Sequence, residues 1–277
     1  MALLGKGGYG LVYRALCLTT GETVAIKLVN PDAFSTSLAA QLLRQEIALC
    51  ATLRHPHIAT LQDSGDGGHA GPFAVFEYVP GQTLHEHLLL KGPLEGTVAA
   101  ELMGQLLDTL VYLHGRGVVH CDIKPKNIML TPSQQICLID FGSATPARQH
   151  ICSPAYSPPE QLRGELPTSR FDLYAWGLVL LECLTGRPAI TGDNLRQVIG
   201  NQHSDQPVPL QGFERHPLGV LLRQLLHKDA SWGVTDTRWL RRRFCRLDLS
   251  GIVPLHAADS IPWPDDDAST EPWPSPL

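Results

Sequence analysis

The chain has 277 residues, of which 43 % are hydrophobic and 18 % charged, with a formal net charge of −5. That length supports one large domain or two lobes with substantial cores, and the composition excludes a disordered or fibrous protein. Its seven cysteines, Cys17, Cys50, Cys121, Cys137, Cys152, Cys183 and Cys245, form no C-x-x-C pair, which excludes a zinc knuckle or disulfide framework and suits a reducing cytoplasm.

The charge is unevenly placed. Beyond Arg246 there are six acids and no Lys or Arg, so the body carries 22 basic against 21 acidic residues. A near-neutral body argues against nucleic acid as the main partner. The amino-terminal MALLGKGGYG is too poor in apolar residues for a signal peptide. The longest apolar run, Leu173 to Leu184, is broken by Gly177 and Glu182 and falls short of a membrane span.

The first eighty residues read as strands around one helix. LVYRALCLTT and ETVAIKLVN flank Gly21 as a β-hairpin. Leu38, Leu42, Ile47 and Leu49 predict a helix from about Ser37 to Leu53. GPFAVFEYVPG, a β-rich run stopped by Pro80 and Gly81, closes this part. After it the pattern turns helical, most strongly over Leu94–Gly115 and Asp172–Gly186, each ending in glycine. Short strands lie between, near Ile128 and Ile136–Ile139. A small β-rich lobe before a larger helical one makes the cleft between them the expected ligand site. The pair His85 and His87, two apart on a helix, faces different directions and is expected to be solvated. Arg238, Arg241, Arg242, Arg243 and Arg246 read as the solvated face of a last helix. From Asp248 the chain turns acidic and proline-rich, with P-W-P twice, which predicts a disordered tail dispensable for folding.

Three stretches carry chemistry. Gly5, Gly7 and Gly10 form G-x-G-x-x-G followed by Val12. Glycines there let backbone amides approach phosphate oxygens, and the strand that follows separates this loop from a dinucleotide fingerprint, which opens a helix. Lys27 ends VAIK in a predicted strand; an inward lysine needs an acidic partner, for which Glu46 is the candidate. The third stretch is VVHCDIKPKNIML, where His120, Cys121 and Asp122 adjoin. Taken alone they could be a metal site, a cysteine nucleophile with its histidine, or neither.

In this order, G-x-G-x-x-G-x-V, VAIK, H-x-D-x-K-x-x-N and DFG resemble a protein kinase, over roughly residues 1–240. The resemblance implies an α+β, bilobal fold: a small antiparallel β-rich N-lobe (about 1–79) with one main helix, then a larger, mainly helical C-lobe (about 80–247), and a tail, 248–277. It implies ATP and Mg²⁺ as cofactors. Asp122 would orient the acceptor hydroxyl and Lys124 neutralise the γ-phosphate, while Asn127 and Asp140 would hold the metal. Lys27, held by Glu46, would bind the α- and β-phosphates. Leu4, Val12, Ala25 and Met129 would enclose the adenine, with Glu77 to Val79 as hinge and Phe76 as gatekeeper. Ser153 would bridge Asp122 and Lys124. Glu160 would close the activation segment, and Asp172 would hold the catalytic-loop backbone. His120 then supports Phe141 and is no ligand.

Four departures stand out. The glycine loop starts so early that the first strand has almost nothing before it, as in a trimmed chain. Pro158 replaces the alanine of A-P-E. Cys121 replaces the arginine of H-R-D, which implies activity without activation-segment phosphorylation. The arginine that should pair with Glu160 soon after Asp229 is missing from HKDASWGV; Arg238 is a candidate replacement. The leading reading is a cytoplasmic, bacterial eukaryotic-like Ser/Thr kinase acting on protein substrates, without nucleic acid or a membrane span. The alternatives are a nucleotide-binding pseudokinase scaffold and a small-molecule kinase of the same fold.

Overall fold

The structure is a computed structural model that describes residues 1–68, 71–144 and 152–252. The expectations for Thr145 and for the tail with its P-W-P motifs lie outside these residues.

The amino-terminal lobe is built on an antiparallel sheet. β1 (Ala2–Lys6), β2 (Gly10–Leu16) and β3 (Thr23–Val29) follow one another, then α1 (Thr36–Cys50), β4 (Leu61–Asp66) and β5 (Pro72–Glu77). The sheet order is β1-β2-β3-β5-β4. The β2–β3 hairpin turns at Gly21, whose φ of 75° lies in the left-handed region that glycine enters freely. Register runs unbroken from Gly10 opposite Val29 to Leu16 opposite Thr23. The edge strand β4, LQDSGD, was not foreseen: only Leu61 is buried and the rest is polar, so it carries no apolar alternation.

α1 begins where Ser35 accepts a hydrogen bond from the Leu38 amide, a side-chain cap for an otherwise unpaired donor. Ala39, Leu42, Leu43 and Cys50 are buried, and Glu46 is buried among them. An apolar helix face that includes one acid aims that acid at the sheet.

The carboxy-terminal lobe opens with β6 (Gln82–Thr83) and α2 (Leu84–Lys91), capped reciprocally by Thr83 and Glu86. His85 and His87 on α2 are half-buried rather than solvated, and His87 Nδ1 lies 2.9 Å from Gln82 Nε2; the neighbouring strand covers what helical spacing alone leaves open. α3 (Gly96–His114) leads to β7 (Ile128–Leu130) and β8 (Ile136–Leu138), which join β6 in a small sheet. α4 (Pro159–Leu162), α5 (Ser169–Thr185), α6 (Leu195–His203), α7 (Pro217–Leu225) and α8 (Thr237–Phe244) complete the lobe.

α5 is its axis: every residue from Arg170 to Thr185 is buried, so this helix is enclosed on all sides rather than amphipathic. Trp176 donates to the Met103 carbonyl at 3.0 Å and meets Phe244 edge-on at 4.8 Å. Glu182, read from sequence as an interruption, accepts from Tyr156 Oη at 2.8 Å. On α8, Arg241 forks onto Asp108 at 2.7 and 3.0 Å, while Arg238, Arg242, Arg243 and Arg246 are exposed. Among the described residues no helix is long and apolar enough to cross a membrane.

Packing continues past the boundary expected at 247. Leu249 is 3 % exposed, and the Ile252 carbonyl accepts from the Gly96 amide at 3.1 Å. A Cβ at Gly96 would strike the Leu249 carbonyl, so the glycine makes room for this segment. Leu249→Ala should therefore cost about 2–4 kcal/mol, read by urea unfolding. A cut after Leu247 should also lower the melting temperature more than a cut after Ile252.

Candidate active site

Two polar clusters flank the cleft. In the first, Lys27 leaves the middle of β3 and Glu46 leaves the buried face of α1. Lys27 Nζ lies 2.7 and 2.8 Å from the Glu46 carboxylate oxygens and 2.8 Å from Asp140 Oδ1. Burial alone would lower the Lys27 pKa, but the charges of Asp140 and Glu46 more than offset it, so the ammonium is held charged. Breaking such a buried pair by removing one partner costs about 3–5 kcal/mol, because the other charge stays behind. Asp140 has a φ of 61°. Its side chain is 44 % exposed, so the carboxylate is open to solvent while anchored at one oxygen.

The second cluster is the loop from His120 to Asn127. Ser153 Oγ donates to Asp122 Oδ1 at 2.8 Å and accepts from Lys124 Nζ at 2.7 Å. Lys124 Nζ is also 3.0 Å from Asp122 Oδ2. Asn127 Nδ2 donates to that same oxygen at 3.0 Å and to the Asp122 carbonyl at 2.9 Å. Asp122 thus has a fixed rotamer and a counter-charge.

The loop's backbone is held by Asp172 from the first turn of α5. Fully buried, it accepts from the amides of His120 and Cys121 at 2.8 Å each, and faces His114 Nε2 at 2.8 Å. His120 packs edge-on against Phe141, with centroids 4.9 Å apart, and its Nδ1 accepts from the Asp122 amide at 3.3 Å. Cys121 is buried at a φ of 66° with Sγ donating to the Val119 carbonyl at 3.6 Å. Burial pushes its thiol pKa well up. The three adjacent residues point to three tasks, and no shared ion or thiolate nucleophile fits them.

The glycine loop lies over the first cluster. The Gly7 amide donates to the Gly10 carbonyl at 2.8 Å, and the Asn30 side chain donates to the Gly7 carbonyl at 2.9 Å. A Cβ at Gly10 would come within 3.3 Å of both the Leu28 carbonyl and Lys27 Cε, so glycine keeps the lysine's path clear. Gly5 and the half-exposed Leu4 lie at the register break in β1. Val12 pairs with Lys27 across β2–β3, Ala25 with Phe76 across β3–β5, and Met129 lies in β7. The apolar residues expected around a purine thus come from both lobes. Glu77 is anchored to Thr60 through its amide at 2.9 Å and its side chain at 3.0 Å, and Val79 follows, half-buried.

Four residues at this site were missed from sequence. Gln161 on α4 donates to the Cys121 carbonyl at 2.7 Å. His114 bridges Asp172 and Thr237 Oγ1, the latter at 2.6 Å. Gln202 joins Tyr174 Oη to the Pro154 carbonyl, at 2.7 and 3.1 Å. Arg170, not Arg238, pairs with Glu160 at 2.6 Å. The one signal for Arg170 was a basic residue in the first turn of a mostly apolar helix, which when buried needs an acidic partner.

The donor set fits a nucleotide with a divalent ion. Among the described residues no three His, Cys, Asp or Glu side chains form a metal cage. Asp140 and Asn127 would thus share an ion with phosphate oxygens, the usual mode for magnesium. The protein kinase domain model matches residues 1–244. The chain is 35 % identical over 225 residues to the probable serine/threonine-protein kinase PknB of Bifidobacterium longum, covering 75 % of this chain and 33 % of that protein. It is 33 % identical over 220 residues to PknB of Mycobacterium tuberculosis H37Rv, covering 75 % and 35 %. It is 34 % identical over 202 residues to PrkC of Bacillus subtilis, covering 70 % and 31 %. The chain belongs to the protein kinase family. It spans about a third of the length of these curated relatives.

Alkylation at pH 8 should label the exposed Cys245 quickly and leave Cys121 and Cys183 unreacted until the protein unfolds, because burial keeps both as inaccessible thiols. Peptide mapping by mass spectrometry reads this directly. Labelling of native Cys121 at the Cys245 rate would contradict the packed loop.

Proposed function

We propose that this chain transfers the γ-phosphate of ATP, with Mg²⁺, to Ser or Thr hydroxyls of protein substrates. The observation that carries it is the Asp122–Ser153–Lys124 bridge, which joins a candidate base, a candidate phosphate-neutralising cation and the activation segment.

When bound, Mg²⁺·ATP supplies the phosphoryl group. Lys27 would hold α- and β-phosphate oxygens, the amides of Gly5, Gly7 and Gly10 would cover the phosphates, and Asp140 and Asn127 would hold the metal. Asp122 would orient the acceptor hydroxyl and take its proton, and Lys124 would offset charge on the γ-phosphoryl oxygens. Ser153 keeps the two side chains in one geometry, so no rotamer search precedes each turnover. The presence of Lys27, Asp122, Asn127 and Asp140, each in contact with another member of the site, favours an active enzyme over a scaffold. The free thiols of all seven cysteines support a reducing, cytoplasmic setting.

Asp122→Asn should lower kcat by about 10²–10⁴ and leave ATP affinity nearly unchanged, because only the hydroxyl-orienting carboxylate is lost. Asp140→Asn should weaken Mg²⁺·ATP binding as well. Nucleotide titration beside transfer of labelled phosphate to a generic acceptor protein separates the two. Undiminished transfer by Asp122→Asn would favour the scaffold.

The same reading covers Cys121. An arginine there carries a buried charge that a phosphorylated activation segment satisfies; a neutral thiol has no such requirement. Phosphatase-treated protein should keep most of its rate, and Cys121→Arg should not raise it. Loss of activity on dephosphorylation, restored by rephosphorylation at Ser143, would overturn this.

A further inference from the structure

Glu160 is 3 % exposed and sits in α4, at the end of the activation segment. Its counter-ion comes from an unexpected direction. Arg170, itself 2 % exposed, reaches back from α5 to place Nη1 2.6 Å from Glu160 Oε1. Its Nη2 donates to the His227 carbonyl in the turn after α7. The guanidinium is thus held through both of its terminal nitrogens.

Gly233 lies against it. The backbone there is extended, with φ −79° and ψ 156°, a conformation open to any residue, so the chain geometry does not call for glycine. A Cβ at Gly233, however, would stand 2.8 Å from both Cδ and Cζ of Arg170 and nearer still to Nε. Gly233 comes shortly after Asp229, in the stretch where the family's arginine was expected. One side chain fills the volume, and the other position is empty of side chain to allow it.

We infer that Arg170, seated in the space Gly233 leaves, is the positioning residue that anchors the activation segment from α5. The route to the reacting groups is short. Gln161, next to Glu160, holds the Cys121 carbonyl at 2.7 Å. Ser157 Oγ donates to the Ser153 carbonyl at 3.0 Å, and Ser153 bridges Asp122 and Lys124. Arg170 and Asp172, two residues apart in one helix turn, therefore fix the acceptor shelf and the catalytic loop together. The effect on turnover rests on the kinase reading; the anchor itself does not.

A swap tests it. Arg170→Ala and Gly233→Arg, each alone, should lower the melting temperature by about 5 °C or more, one by stranding a buried carboxylate and the other by collision. Combined, they should recover at least half of either loss, because the guanidinium introduced by Gly233→Arg then enters the vacated space toward Glu160. The singles should raise the KM for an acceptor protein about tenfold, with ATP affinity within about twofold, and the double should bring it back. If one single does not fold, Arg170→Lys against the double gives the same comparison, with the lysine variant expected to be the weaker. Equal, additive effects of Gly233→Arg in both backgrounds would overturn the shared volume. A lowered melting temperature with unchanged acceptor KM would overturn the positioning role. Absence of transfer by the unaltered protein would count against the kinase reading, and the melting-temperature cycle would still decide the anchor.

Discussion

The loop that carries Asp122 depends on a carboxylate that has no contact with water. A buried, unpaired carboxylate is too costly to keep charged, and Asp172 avoids that cost by accepting from two consecutive backbone amides and facing His114. The amides are those of His120 and Cys121, in the turn that ends at Asp122. The positive φ of Cys121 is a backbone strain of the kind that persists only where surrounding contacts over-determine it. Here the contacts are two hydrogen bonds to a group that cannot itself move, because its helix is packed on every side. The rigidity of α5 is passed through one side chain to the loop that carries Asp122.

The other half of the site is set by charge across the lobes. Lys27 belongs to the sheet, Glu46 to α1 and Asp140 to the carboxy-terminal lobe, yet one ammonium contacts both acids. Their combined field holds it charged despite burial. Because Glu46 is nearly inaccessible and Asp140 is not, the two contacts differ in kind. The first fixes the helix on the sheet, and the second leaves a carboxylate with one face toward solvent.

Much of this was legible because it is local. The hairpin, α1, α3 and α5 follow from Gly21 and from apolar spacing, and the chemistry follows from four motifs each contained within a dozen residues. Lys27 and Glu46 could be paired across nineteen positions because each occupies the inward face of its own element. What escaped was non-local or polar. β4 has no alternation, since an exposed edge needs none. Leu249 and Ile252 lie in the short stretch LDLSGIVPL, too brief to show a helical or strand period that would mark them as core. Glu182 looked like a break in an apolar run because its partner, Tyr156, lies 26 residues earlier. Arg170 was passed over for Arg238 because only the folded chain brings Gly233 beside it.

The activation segment from Ser153 to Gln161 can now be weighed as a set of attachments. Ser153 is tied to Asp122 and Lys124, Pro154 to Gln202, Tyr156 to Glu182, Glu160 to Arg170, and Gln161 to the Cys121 carbonyl. Each partner is a fixed part of the protein, and two of them, Glu182 and Arg170, lie on α5. Phosphorylation orders such a segment when it lacks anchors of its own, by adding charge for arginines to meet. That residues 153–161 are held at these points by permanent groups is what supports the proposal that the segment needs no such added charge. The relocated arginine and Glu182 thus hold the described part of the segment from beneath, through α5.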